Sequence, residues 1–81
     1  MPKLKVDVQL YGIRTGGDIF IGRYMGSGYD VLRALESILE FLDSSIVYKG
    51  ISWHGVLDEN EFSGETDIPT ALGVVRKAMA D

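Results

Sequence analysis

The sequence contains no cysteine, two prolines, one histidine and one tryptophan among its 81 residues. Without cysteine the chain can form neither a disulfide nor a thiolate metal site, which excludes the small disulfide-rich scaffolds of secreted proteins. Its stability must come from a dense apolar core, from association with other copies, or from an ion held by oxygen ligands. The absence of cysteine is compatible with a cytoplasmic location, which we predict.

The chain also lacks long apolar runs and an excess of basic residues. No segment reaches the ~18 apolar residues of a membrane span, and residues 1–12 alternate apolar and polar side chains instead of forming the apolar centre of a signal peptide. The net charge is −4, and residues 34–67 carry eight acidic side chains against one basic. Nucleic-acid binding usually requires a basic surface. We therefore expect neither a membrane nor a nucleic acid as partner.

What remains is an ordinary globular composition, with 46% hydrophobic and 25% charged residues. A chain of this length forms one domain at most, so residues 1–81 are treated as a single globular domain. Residues 3–11 alternate apolar and polar side chains, which predicts a strand with one buried face. The pair Gly16-Gly17 separates it from a second strand-like run, residues 19–25. Adjacent glycines favour a two-residue hairpin turn.

The stretch from residue 29 to about residue 43 predicts a long amphipathic helix. Its apolar residues fall on one half of a helical wheel, and its charged residues fall on the other. A stripe of this width is typical of a helix that lies across a sheet. Ser27 and Asp30 have the spacing of a capping box at the start of this helix, with aspartate in the usual place of glutamate.

The rest of the chain predicts further strands and a second helix. Residues 46–57 are rich in Ile, Val, Tyr and Trp, and residues 61–63 form at most a brief fourth strand. Asp67 can cap a last helix, in which Pro69 is tolerated in the first turn. The predicted fold class is therefore α+β: a two-layer domain whose mainly antiparallel sheet of three or four strands carries two helices, in the order β-β-α-β-(β)-α.

The predicted hairpin carries apolar side chains on the face that points away from the core. If Gly16 and Gly17 form the turn, one face collects three aromatic residues and an isoleucine: Tyr11, Ile13, Phe20 and Tyr24. The open face of a two-layer domain is normally polar, and aromatic side chains are enriched at interface cores. These four residues are therefore the predicted interface, in contact with another copy of the chain or with a protein partner.

Residues 58–67 form an acidic segment with five carboxylates and one asparagine. Hard cations such as Ca²⁺ prefer oxygen ligands of this kind, and the candidate metal ligands are Asp58, Asn60, Glu61, Glu65 and Asp67. Their spacing does not fit an EF-hand, because Phe62 takes the fifth position and Gly64 falls one place late. A solvated turn followed by a helix N-terminus explains the same residues without an ion. Ca²⁺ is thus a possible ligand, with the solvated turn as the alternative.

Two further features point to weaker hypotheses. The turn Gly26-Ser27-Gly28 before the long helix resembles an anion-binding terminus, but it matches neither a P-loop nor a dinucleotide fingerprint. His54 is the one obvious general acid or base, and nothing in the spacing pairs it with a nucleophile and a carboxylate. We therefore predict no catalytic residue. The expected function is that of a small non-enzymatic binding or assembly module that self-associates through its aromatic hairpin face, with hard-cation binding as the alternative.

Overall fold

The computed structural model describes residues 5–80, which form four strands and two helices. The strands are β1 (Lys5–Arg14), β2 (Gly17–Ser27), β3 (Tyr48–Leu57) and β4 (Asn60–Thr66), and the helices are α1 (Tyr29–Ser44) and α2 (Ile68–Ala80). All neighbouring strands are antiparallel, in the spatial order β2-β1-β3-β4. The predicted α+β fold class is confirmed. The first two residues of the predicted first strand lie outside the described residues.

Both helices contribute to a single core on one face of the sheet. Alternation along β1 buries Val6, Val8 and Leu10, which cluster with the buried leucines of α1 and with the apolar side of α2. A fully buried leucine or valine contributes roughly 1.5–3 kcal/mol through removal of its surface from water. Arg76 of α2 adds a polar contact between the helices, because its Nε donates a hydrogen bond of 2.9 Å to Glu36 of α1. Among residues 5–80, neither helix covers the other face of the sheet, which is called the open face below.

The register of the β1–β2 hairpin differs from the predicted one. Arg14 pairs with Gly17, so the turn residues are Thr15 and Gly16 rather than the two glycines. Further along, Tyr11 pairs with Phe20 but Leu10 pairs with Gly22, because Ile21 forms a β-bulge. The extra residue reverses the faces of everything that follows it in β2.

The bulge overturns the predicted position of Tyr24. Tyr24 lies opposite Val8 and is half-buried against the core, so the prediction that it shares the open face is wrong. Burial also raises the pKa of its phenol. A turn at Gly16-Gly17 with regular alternation would place Met25 opposite Val8 on the core side, but Met25 lies opposite Asp7 on the open face.

The start of α1 and the extent of β4 also correct the sequence-based picture. The N-cap of α1 is Gly28, at φ +122°, and no side chain caps it, so the capping box of Ser27 and Asp30 does not form. Glycine fits there because other residues rarely adopt this φ. The fourth strand spans seven residues instead of three, because pairing with β3 outweighs the low strand propensity of its Gly64 and its glutamates. In the described part of the chain, neither helix has the length and apolarity needed to cross a bilayer.

Candidate functional site

The candidate site is the open face of the sheet, to which all four strands contribute alternate residues. Its central row crosses the sheet from Phe20 on β2 through Tyr11 on β1 and Ser52 on β3 to Glu65 on β4. Residues directly opposite each other in antiparallel strands share a face and interact across it. The row therefore runs from an aromatic end at the β2 edge to an acidic end at the β4 edge.

Tyr11 is the centre of an aromatic cluster on this face. Its ring meets Phe20 edge to face, with 5.2 Å between ring centroids, and stacks against His54 at 6.4 Å with 21° between the planes. Phe20 is 54% exposed, and Met25, further along the same face of β2, is 59% exposed. Edge-to-face aromatic pairs contribute about 0.5–1.5 kcal/mol beyond their buried area. The cluster is thus held in place but still presents apolar surface to solvent.

On the hairpin half of the open face, Asp7 and Arg23 form an ion pair in which the two charges neutralise each other. Arg23 donates two hydrogen bonds to Asp7, from Nε to Oδ1 at 3.0 Å and from Nη2 to Oδ2 at 2.9 Å. The hydrogen bond from Arg23 lowers the pKa of the Asp7 carboxyl, and the same contact raises the pKa of Arg23. On the other half, Glu61 and Glu65 of β4 leave an excess of negative charge. The two halves of the face therefore differ in electrostatic character.

Three of the four residues predicted for the interface lie on the open face. Tyr11, Ile13 and Phe20 share it, whereas Tyr24 belongs to the core side. Met25 and His54 belong to the same face and were not among the four residues predicted for the interface. Periodicity alone places Met25 on the wrong side, because a bulge reverses the alternation without changing the composition of the strand.

His54 lies on β3 between Gln9 and Ser63 and is exposed. It borders a shallow surface depression that Glu61 and Phe62 also line. Among residues 5–80, the hydrogen bonds found include none that joins His54 to a carboxylate or a hydroxyl. Its ring instead contributes area to the aromatic cluster.

The five predicted metal ligands are distributed along β4 and its two ends. Asp58 lies in the β3–β4 turn at φ +60°, whereas Asp67 follows β4 and accepts a 2.8 Å hydrogen bond from the backbone N–H of Thr70. This confirms Asp67 as the cap of α2, and hydrogen bonding by Thr70 lowers its pKa. Seven residues of strand span about 23 Å.

The described residues therefore do not gather the acidic segment around one point. Within residues 5–80, no group of three or more His, Asp or Glu side chains is placed to hold a metal ion. Glu61 and Glu65 lie on the open face, while Asp67 serves the helix terminus. Ca²⁺ binding by this segment stays a prediction.

Comparison with known proteins adds no relative. No protein-family model matches the chain, and neither a curated protein nor a solved structure shows significant similarity to it.

Proposed function

We propose that this protein is a small non-enzymatic assembly module that associates with a second copy of itself through the aromatic side chains of the β1–β2 hairpin. The observation that carries the proposal is the aromatic cluster of Tyr11 and Phe20, with Ile13 two residues along β1, on a sheet face that no helix covers among residues 5–80. Scattered exposed aromatics are normal in monomers, whereas contiguous apolar surface marks interaction sites.

The charge of the hairpin favours a second copy as the occupant. Asp7 and Arg23 neutralise each other, and the remaining open-face charges of the hairpin, Lys5 and Asp18, are of opposite sign. Two hairpins can therefore approach without net repulsion, although the whole chain carries a charge of −4. A strongly basic or acidic partner would find no matching field on this half of the face.

The exposed part of Phe20 sets the scale of the association energy. A phenylalanine side chain has roughly 200 Å² of surface, so a 54% exposed ring can still lose roughly 100 Å² to a partner. At about 25 cal/mol/Å² this is worth roughly 2.5 kcal/mol for each copy. A symmetric contact counts it twice, about 5 kcal/mol at most. A micromolar dissociation constant requires about 8 kcal/mol, so the rest of the interface must supply the remainder and offset the cost of association.

Sedimentation velocity over a dilution series from about 1 mM to about 1 µM tests the proposal. We expect the wild-type chain to form a dimer that dissociates on dilution. Phe20→Ser should weaken it at least ~30-fold, because each dimer loses two buried rings. Phe41→Ser is the matched control, since Phe41 is 64% exposed but lies on α1, away from the hairpin face.

Two outcomes would contradict the proposal. One is a wild-type chain that stays monomeric at the highest concentration. The other is an equal loss of affinity in the Phe20→Ser and Phe41→Ser variants, because that result would indicate nonspecific association of exposed aromatic rings. Association with an unrelated protein instead of a second copy would appear as a monomer in this assay.

A further inference from the structure

The two edges of the sheet differ in how open they are to strand addition. β2 is eleven residues long, pairs only with β1 among the described strands, and contains neither lysine nor proline. β4 has seven residues and carries Glu61 and Glu65. Short length, proline, charge and β-bulges are the usual means by which proteins protect a free edge. β4 is short and its glutamates are of one sign, so they oppose a second copy of the same strand. β2 is long and its two charges, Asp18 and Arg23, are of opposite sign, which leaves the bulge at Ile21 as its main protection.

We infer that the second copy adds edge to edge through β2, antiparallel, about a two-fold axis that passes perpendicular to the sheet between Phe20 and Ile21. This inference rests on the proposed self-association and specifies its geometry. The product is one eight-stranded antiparallel sheet, with all four helices on the same side and a continuous open face on the other.

The charges of β2 favour this register. Asp18 and Arg23 are five residues apart and would lie on opposite faces of a regular strand, but the bulge at Ile21 brings both to the open face. With the axis between Phe20 and Ile21, Asp18 of one copy lies opposite Arg23 of the other, and the symmetry makes this contact twice. An axis through Asp18 or through Arg23 would instead oppose like charges, which is unfavourable.

Arg23 can make the new contact without giving up the old one. Its hydrogen bonds to Asp7 use Nε and Nη2, so Nη1 remains to donate to Asp18 of the second copy. A guanidinium group carries five donor hydrogens and commonly serves two carboxylates. The bulges of the two copies face each other at the axis. Residues that pair on either side of the axis therefore lie on the same face of the sheet. Ile19 of one copy, for example, lies opposite Gly22 of the other on the helix side.

The same axis unites the two aromatic clusters and separates the acidic edges. Phe20 of each copy lies next to the axis on the open face, so the two Phe20 rings bury part of their exposed surface against each other. Tyr11, Phe20 and their symmetry mates then form one stripe. The two β4 strands end up seven strand spacings apart, about 34 Å at ~4.8 Å each. This exceeds the Debye length of about 8 Å at physiological salt, so their glutamates do not oppose the association.

Charge reversal tests the register. Asp18→Arg places two like-charged pairs across the axis and should raise the dissociation constant of the dimer at least ~10-fold. Glu65→Arg is the matched control, because it makes the same change of charge on the open face of the opposite edge and should leave the dimer within about threefold of wild type. The double variant Asp18→Arg with Arg23→Asp restores opposite charges across the axis. It should recover part of the affinity, because Arg23→Asp also removes the ion pair with Asp7. Circular dichroism of each variant verifies that it is folded.

Hydrogen exchange of the unmodified chain gives a second readout that needs no substitution. Amides in residues 17–27 should exchange more slowly at high than at low protein concentration, whereas those in residues 60–66 should not change, because only the β2 edge gains hydrogen-bond partners.

The outcomes separate this inference from the proposed function. A dimer that is indifferent to Asp18→Arg, is not rescued in the double variant, or protects residues 60–66 instead of 17–27, would overturn edge pairing through β2 and leave self-association standing. A chain that is monomeric throughout the dilution series would overturn both.

Discussion

Replacing Gly55 with alanine should cost more stability than any other glycine substitution in the sheet. Gly55 lies in β3 between Val8 of β1 and Phe62 of β4, with φ at +147°. A Cβ there would collide with the carbonyl oxygen of Asp7 and lie 2.9 Å from the Cα of Val8. Both obstacles are backbone atoms, so they cannot rotate away, and relief requires that β1 and β3 separate locally.

The expected magnitude combines two contributions. The unfavourable φ costs of order 1–3 kcal/mol, and forcing an extra carbon into packed structure costs typically 1–3 kcal/mol more. We therefore expect a loss of about 4 kcal/mol in the free energy of unfolding. For a domain of this size, 1 kcal/mol corresponds to a Tm shift of about 4–8 °C, so Tm should fall by roughly 15 °C or more.

Gly64→Ala is the matched control for this prediction. Gly64 lies in the neighbouring strand at φ +135°, but a Cβ there meets no atom within 4 Å. It should therefore show the backbone cost alone, of order 1–3 kcal/mol, without the steric cost expected for Gly55→Ala. Urea unfolding at equilibrium, followed by circular dichroism, measures both variants. Equal losses at the two positions would refute the steric argument, because they would show that the contact with β1 adds nothing.

Three further predictions concern α2 and the acidic segment. Gly73→Ala should raise the free energy of unfolding by about 1 kcal/mol in the same urea assay, because alanine favours helix and the space around Gly73 is open; a loss would contradict this. Asp67→Asn should lower Tm at pH 7, and the difference from wild type should shrink as the pH falls below about 4. The folded-state pKa of Asp67 is lowered, so its contribution is present above the unfolded pKa and lost on acidification; a gap independent of pH would exclude the carboxylate as its source. If residues 58–67 bind Ca²⁺, a titration followed by NMR should shift their amide resonances in a saturable way, and no localised change at millimolar Ca²⁺ would end that hypothesis.

Most helices and strands of this fold can be predicted from the spacing of apolar residues along the sequence. The helical stripe from residue 29 is strong enough to predict α1 almost to its last residue, because half of its surface must face a core. The alternation of Val6, Val8 and Leu10 likewise predicts the buried face of β1. The length of β4 is not predicted, because its glutamates and Gly64 disfavour a strand locally and only the ladder with β3 holds them extended.

The candidate surface was predictable only as far as the bulge. From the turn to Phe20 the faces follow simple alternation, so Tyr11, Ile13 and Phe20 are assigned correctly. Beyond Ile21 the extra residue reverses the assignment of Tyr24 and Met25, and no feature of the local composition marks which residue will be left unpaired. Arg23 also follows the bulge, so simple alternation does not place it on the same face as Asp7, with which it forms an ion pair.

The unequal protection of the two sheet edges has a consequence for the size of any assembly. A contact between two identical β2 strands uses the same edge of both copies, which leaves only the two β4 strands at the ends. Each end carries Glu61 and Glu65, so a third molecule would have to bring carboxylates against carboxylates. The proposed addition through β2 would therefore be self-limiting and would yield a closed pair rather than a growing fibre.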